Sequence, residues 1–179
     1  MEIRLNLVLL AVLAISWSAL SPSHPVAALD PESEATRELA MLEDEFARDR
    51  GDVLMARHLA SRYLELDRPG LAIAILNAGE PRVLQDPTVT HRLAQAYEAT
   101  GRLDDALATA ELAHSRCGRY LGTTENGAVT PLPRHRCDFR DYAMLEMHRN
   151  ALRHITRGMT PSLAYDVALR RVSIASAAP

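Results

Sequence analysis

The sequence predicts an all-α protein, a short solenoid of antiparallel helix pairs. Three observations carry this: helix starts and stops recur from Asp30 onward, alternation of β-branched residues is scarce, and the chain resembles itself at one fixed spacing. The composition agrees. A chain of 179 residues, 47% hydrophobic and 24% charged, has the make-up of one globular domain rather than a disordered chain. Eight Gly and ten Pro leave no room for collagen-like or low-complexity architectures. A net charge of -3 with no basic block argues against nucleic acid as the main partner. All 20 cationic side chains are Arg, a bias that GC-rich codons alone can produce.

The N-terminal segment reads as an address. From Leu5 to Leu20 there is no charge, and this run falls short of a membrane-crossing helix, which needs about 20 residues. It suits the apolar region of a secretory signal flanked by Arg4. Val26-Ala27-Ala28 puts small residues at −3 and −1, so the expected cut follows Ala28 and residues 1–28 form a signal peptide. The expectation is export to the periplasm or beyond. An uncleaved inner-membrane anchor of residues 5–20 is the alternative, and membrane contact is expected only in that case.

The helical elements follow in order. Asp30-Pro31-Glu32 supplies an N-cap, an N1 proline and a first-turn acid for a helix whose face is Ala35, Leu39, Leu42 and Phe46. Residues 29–52 thus make an N-terminal capping helix, ended by Gly51. Asp52 opens a run through Leu59, Tyr63 and Leu66, which Arg68-Pro69-Gly70 interrupts; the next run stops at Gly79. Pro81 and Pro87 bound a linker. A helix then passes through Leu93, Ala96 and Tyr97 to Gly101, and Asp104 opens another that runs to about Ser115. Residues 118–137 lose the period, with Asn126-Gly127 as a turn for a small hairpin. Helix signals return at Asp138, stop at Gly158, and resume behind Thr160-Pro161.

Sliding the chain along itself until Leu59-Ala60 meets Leu93-Ala94 also brings Tyr63 onto Tyr97, Arg68 onto Arg102 and Ala72 onto Ala106. The same shift brings Ala74 onto Ala108 and Arg82 onto Arg116. The small and aromatic identities fall where two packed helices meet. On these residues the chain resembles the tetratricopeptide repeat, whose period is the same. Counted from Pro87, Leu93-Ala94, Tyr97, Gly101, Ala106, Ala110 and Ala113 stand at positions 7, 8, 11, 15, 20, 24 and 27. The family's Trp at position 4 is replaced by Ala56 and Thr90, and its Pro at 32 by Leu84 and Gly118. The resemblance implies repeats over 53–86 and 87–120, an insertion over 121–144 and a degenerate third repeat over 145–179.

Cys117 closes the second repeat and Cys137 precedes the next helix. An even cysteine count in an exported chain reads first as one disulfide, here tying the ends of the insertion. The competing reading is zinc on His114, Cys117, His135 and Cys137, although one residue between the last two is poor spacing outside a strand or loop. No metal and no cofactor are expected. His58, His91, His148 and His154, taken singly, read as surface residues. No nucleophile elbow, phosphate loop, His-Glu-x-x-His pair or dinucleotide fingerprint occurs, so an enzyme is not expected.

The resemblance implies a concave groove lined by the first helix of each pair, at positions 2, 5, 9, 12 and 13. Those places include Arg57 and Ser61, then His91 and Gln95, then Arg149 and Arg153, with Arg157 closing the third set. Arg149, Arg153 and Arg157 recur at every fourth position and form one stripe. With Arg57 and a protonated His91 they would give a groove of positive potential, and guanidinium forks suit carboxylates. The expected function is non-catalytic: an adaptor of the bacterial cell envelope holding an acidic or C-terminal segment of another envelope protein. The family's clamp pattern, Lys at 5 and Asn at 9, is not reproduced by Arg57/Ser61 or His91/Gln95. The alternative is a structural subunit of an envelope complex that uses its convex face or the 118–137 loop, and a metal-binding protein is a further one. An Arg-only composition also paints any solvated helix face with Arg, with no function attached.

Overall fold

The computed structural model describes residues 33–121 and 137–177. The signal peptide and its cut, the Asp30 cap, the Asn126-Gly127 turn and His135 lie outside the described residues. The chain divides into two units after Thr36, and the helix pairs belong to the second. Among the described residues there are eight helices and no strands: α1 (Glu34–Arg48), α2 (Val53–Glu65), α3 (Pro69–Ala78), α4 (Pro81–Gln85), α5 (Pro87–Ala99), α6 (Leu103–Tyr120), α7 (Phe139–Ile155) and α8 (Pro161–Ala177). They pack as adjacent pairs, α2 with α3, α5 with α6 and α7 with α8, joined through α3–α5 and α6–α7. Among the described residues no helix is long and apolar enough to cross a membrane.

The caps repeat with the sequence period. Asp52 and Asp86 stand one period apart, and each carboxylate accepts from two N–H groups of the first turn that no carbonyl can reach. The distances are 2.8 and 3.0 Å to Leu54 and Met55, and 2.9 and 3.2 Å to Thr88 and Val89. The turns inside the pairs repeat as well. Asp67, Gly101 and Gly158 take left-handed backbone at φ 55°, 76° and 92°. The next N–H, on Arg68, Arg102 or Met159, reaches back to the carbonyl of Tyr63, Tyr97 or His154 at 2.8, 2.9 and 3.1 Å. This bond satisfies a carbonyl that the helix end leaves open.

Alanines sit where helices cross. Ala60, Ala72, Ala94 and Ala106 are fully buried, which lets paired axes approach closely. One core cluster joins Ala94, Ala106 and Ala110 to Leu152, Ile155 and Ala164, so it spans α5 to α8. A second joins Ala113, Cys117, Cys137 and Leu145. Cys117 and Cys137 form a disulfide-distance pair with Cα atoms 5.5 Å apart.

Four features differ from the sequence reading. The stretch between Pro81 and Pro87 is not a bare linker: Pro81 opens the short helix α4, pinned by the fully buried Val83. Helix α6 runs past Ser115 and through Gly118 to Tyr120, because Cys117 is held in the second cluster and Tyr120 packs against it. Helix α7 starts at Phe139, as the signals at Asp138 imply, behind a capping box in which Asp141 N–H donates to Asp138 at 2.7 Å and Asp138 N–H to Asp141 at 3.2 Å, so what differs is the end of the insertion. Residues 139–144, assigned to the insertion, are therefore helical.

The fourth difference is one of register. After its glycine, the α7–α8 turn holds Met159 and Thr160 before Pro161, where the α5–α6 turn holds Arg102 alone before Leu103. A third repeat begun at 145, which sets Arg149 opposite His91, therefore departs from the turn by one position. Taken from the turn, Gly158, Ala151 and His148 correspond to Gly101, Ala94 and His91 at one constant spacing. The counterpart of His91 is thus His148, where the sequence alignment put Arg149.

Candidate functional site

The residues expected to line one groove fall into three settings. The first is on α2 and α5. Arg57 is exposed, and among the described residues its side chain has no hydrogen-bonding or ion-pair partner. Ser61 turns back along its own helix, its hydroxyl donating to the Arg57 carbonyl at 2.8 Å. Gln95 accepts from the Arg92 guanidinium at 2.8 Å. Arg92, which sequence reasoning passed over, is partly buried; burial first and the neighbouring Arg57 second hold its pKa below the usual arginine value. Arg92 on α5 thus feels the like charge of Arg57 on α2, offset in part by Glu65, with no carboxylate bonded to either arginine among the described residues.

The second setting is the face of α7 toward α6. Arg153 donates through Nε and NH2 to Glu111 at 3.1 and 2.7 Å. Arg149 donates to His114 Nδ1 at 3.0 Å and lies 3.8 Å from Glu146. His114 also lies against the Tyr142 ring, with centroids 4.3 Å apart. The stripe is real in sequence, but its first two members engage partners on α6 and are not brought to Arg57. Arg157 is exposed beyond the end of α7.

The third setting holds His91, and here the surface reading is corrected. His91 and His148 are 2% and 3% exposed, the first facing α7 and the second bridging α5 and α8. His91 Nε2 and His148 Nδ1 are 2.9 Å apart, His148 Nε2 and Glu98 are 2.9 Å apart, and the Tyr165 hydroxyl donates to both Glu98 oxygens at 2.9 and 2.8 Å. Glu98 accepts, so His148 donates from Nε2; in the neutral ring Nδ1 is then the acceptor and His91 the donor. Burial opposes ionisation of Glu98, but the bonds from His148 and Tyr165 win and hold its carboxyl below the usual value. Burial, then His148 and Arg92, push His91 down to about 3. A cationic His91 lining a groove is therefore not what this fold holds near neutral pH. His114 is pushed down to about 4 by burial and by Arg149 and Arg153. No signal in the sequence marked His91 and His148 as a pair, because their equivalence emerges only with the α7–α8 turn.

Among the described residues no three His, Cys, Asp or Glu side chains are placed to hold a metal ion. Two cavities lie near the cysteines. One, of about 440 Å³, is lined by Gln85, Arg116, Arg119 and Tyr120. The other, of about 480 Å³, is lined by Tyr120, Leu121, Cys137, Asp138 and Phe139, and Phe139 is 74% exposed.

Fold and site together define an all-α protein of adjacent helix pairs with cationic side chains on its first helices and a buried polar chain behind them. No protein-family model, no curated protein and no solved structure matches the chain.

Proposed function

We propose that the chain is an exported, tetratricopeptide-like adaptor of the bacterial cell envelope, which binds an acidic or C-terminal segment of another envelope protein and catalyses nothing. The repeat reading is supported by caps and turns that recur with the sequence period at Asp52/Asp86 and Asp67/Gly101. The observation that carries the binding reading is the Arg57–Arg92 neighbourhood. A carboxylate seated there would relieve the repulsion between the two guanidinium groups and accept a forked pair of hydrogen bonds. Ser61 and Gln95 flank it on the same helices. The groove proposed is thus narrower than the full arginine stripe, since Arg149 and Arg153 are engaged by His114, Glu146 and Glu111.

Crosslinking capture from intact envelopes tests this, with tagged full-length protein beside Arg57→Glu/Arg92→Glu and Arg157→Glu variants of equal abundance and helicity. Loss of a charge-assisted contact in the double variant should lower recovery of one partner about tenfold or more, while Arg157→Glu retains it. Retention of the same partner by the double variant would end the groove reading. The exposed Phe139 beside Cys137 favours a second reading, a structural subunit docking through the surface near the 118–137 loop. On that reading Phe139→Ser, not the arginine reversal, loses the partner.

A further inference from the structure

Helix α7 is held on each polar flank by a histidine: a proton breaks the bond of one, His114, and buries an unpaired cation at the other, His91. On the α6 side, His114 Nδ1 accepts from the Arg149 guanidinium at 3.0 Å. The lone pair that accepts is the one a proton would take. Protonated, His114 sets an N–H against an N–H and a cation against Arg149 and Arg153. Tyr142 and Glu146 on α7 and Glu111 on α6 are the other ionisable neighbours; Glu111 is occupied by Arg153 and Glu146 stands at 3.8 Å from Arg149.

On the α5 side, His91 donates to His148, which donates to Glu98, which also accepts from Tyr165 of α8. One added proton on His91 leaves that bond but buries a cation beside Arg92, itself pressed by Arg57 of α2 and eased by Glu65. A second proton in the pair would place two N–H groups face to face. Glu98 stands only on the far side of His148 and cannot neutralise both rings. A third ligand that would convert the pair to a metal site is missing among the described residues.

The two latches act at one joint. The apolar part of that joint sets Ala94, Ala106 and Ala110 against Leu152, Ile155 and Ala164, and Ala113 and Cys117 against Leu145, and the two histidine contacts lie beside it. Among the described residues of α2 and α3 the buried core is Ala56, Leu59, Ala60, Tyr63, Ala72 and Leu76, with no buried histidine. We propose that mild acid releases the α7–α8 pair from α5 and α6 as a unit, with the Cys117–Cys137 link keeping it tethered, so that the fold carries a proton-operated joint. This goes beyond the adaptor reading and stands without it.

The direction follows from linkage. Both histidines have folded-state values lowered from 6.5, to about 3 for His91 and about 4 for His114. Between about pH 6.5 and those values the open joint binds protons that the closed joint refuses. Opening therefore rises as pH falls, by at most about tenfold per pH unit for each histidine. The experiment is hydrogen–deuterium exchange of the full chain across about pH 7.5 to 4.5, with rates corrected for the intrinsic pH dependence of exchange. Amides of α7 and α8 should lose protection at least about tenfold more than those of α2 and α3. A His91→Gln/His114→Gln variant keeps a donor at the first site and an acceptor at the second without a titrating ring, so it should lose the difference. Equal protection of both regions in the parent overturns the proposal, as does a variant that opens at the parent's pH. Should that variant not fold at neutral pH, the imidazole ¹⁵N shifts of the labelled parent decide. Both rings must be neutral at about pH 7.5 and charge as α7–α8 opens, and opening with the two still neutral overturns the proposal.

Discussion

Glu98 is the residue on which the buried polar chain depends. Its carboxylate takes three hydrogen bonds, one from His148 and two from the single Tyr165 hydroxyl shared between its oxygens. It also fixes the direction of every donor behind it, since His148 can present Nδ1 to His91 only while Nε2 is occupied. Glu98→Gln removes the charge and introduces an amide N–H that must face one of those donors. The expected cost is about 1–3 kcal/mol, read as a lowered urea midpoint with unchanged m-value at about pH 7.5. None of this was legible from residues taken one at a time. His91 and His148 sit among polar or Arg neighbours in sequence, which is the pattern of a surface histidine. What buries them is the approach of α7 to α5, and that depends on contacts between distant parts of the chain.

At the scale of the element, the two turns at Asp67 and Gly101 offer a matched pair of tests. Both take left-handed backbone, at φ 55° and 76°, in the same turn one period apart. Asp tolerates that conformation at a cost that Gly escapes. Asp67→Gly is therefore expected to stabilise by about 0.5 kcal/mol, the relief of strain exceeding the added freedom of the unfolded chain. A Cβ on Gly101 would meet nothing within 4 Å, so Gly101→Ala tests the backbone effect alone. It should destabilise by about 1 kcal/mol, and thermal melts of the two variants should move in opposite directions. The N-caps were legible because a carboxylate before a helical run has a local reason to be there: Asp52 and Asp138 behave as their sequence positions imply. Helix α4 and the end of α6 were not. Pro, Gly and a short length argue against helix locally, and both stretches are helical with Val83 and Cys117 buried, the latter against Cys137 and Leu145 beyond the next stretch of chain.

At the scale of the whole described unit, the Cys117–Cys137 pair joins the end of α6 to the residue before the cap of α7, with a sequence separation of 20. Thiol titration of the denatured, unreduced protein should find no free thiol. Reduction should then cost on the order of 3 kcal/mol, seen as a lower melting temperature after reductant, and the loss should fall on α7 and α8 because the link joins α6 to the approach of α7. Sequence reasoning reached the pairing through cysteine count and the expectation of export, and the 5.5 Å Cα separation agrees with it. It reached the all-α class and the helix pairs through caps, breakers and period, all signals carried by short stretches of chain. It could not reach which arginines are left without partners. Arg149 and Arg153 carry the same charge and spacing as Arg157, yet Glu111 and His114 on α6 decide that they are engaged, while the Arg57 side chain has no bonded partner among the described residues and Arg92 donates to Gln95. The amino-acid order alone determined where most helices begin, turn and end, because a cap or a left-handed turn is satisfied by its own neighbours. Only the tertiary structure decided which polar groups meet, because one extra residue in the α7–α8 turn rotates the register of a helix by about 100° and exchanges Arg149 for His148 at the joint.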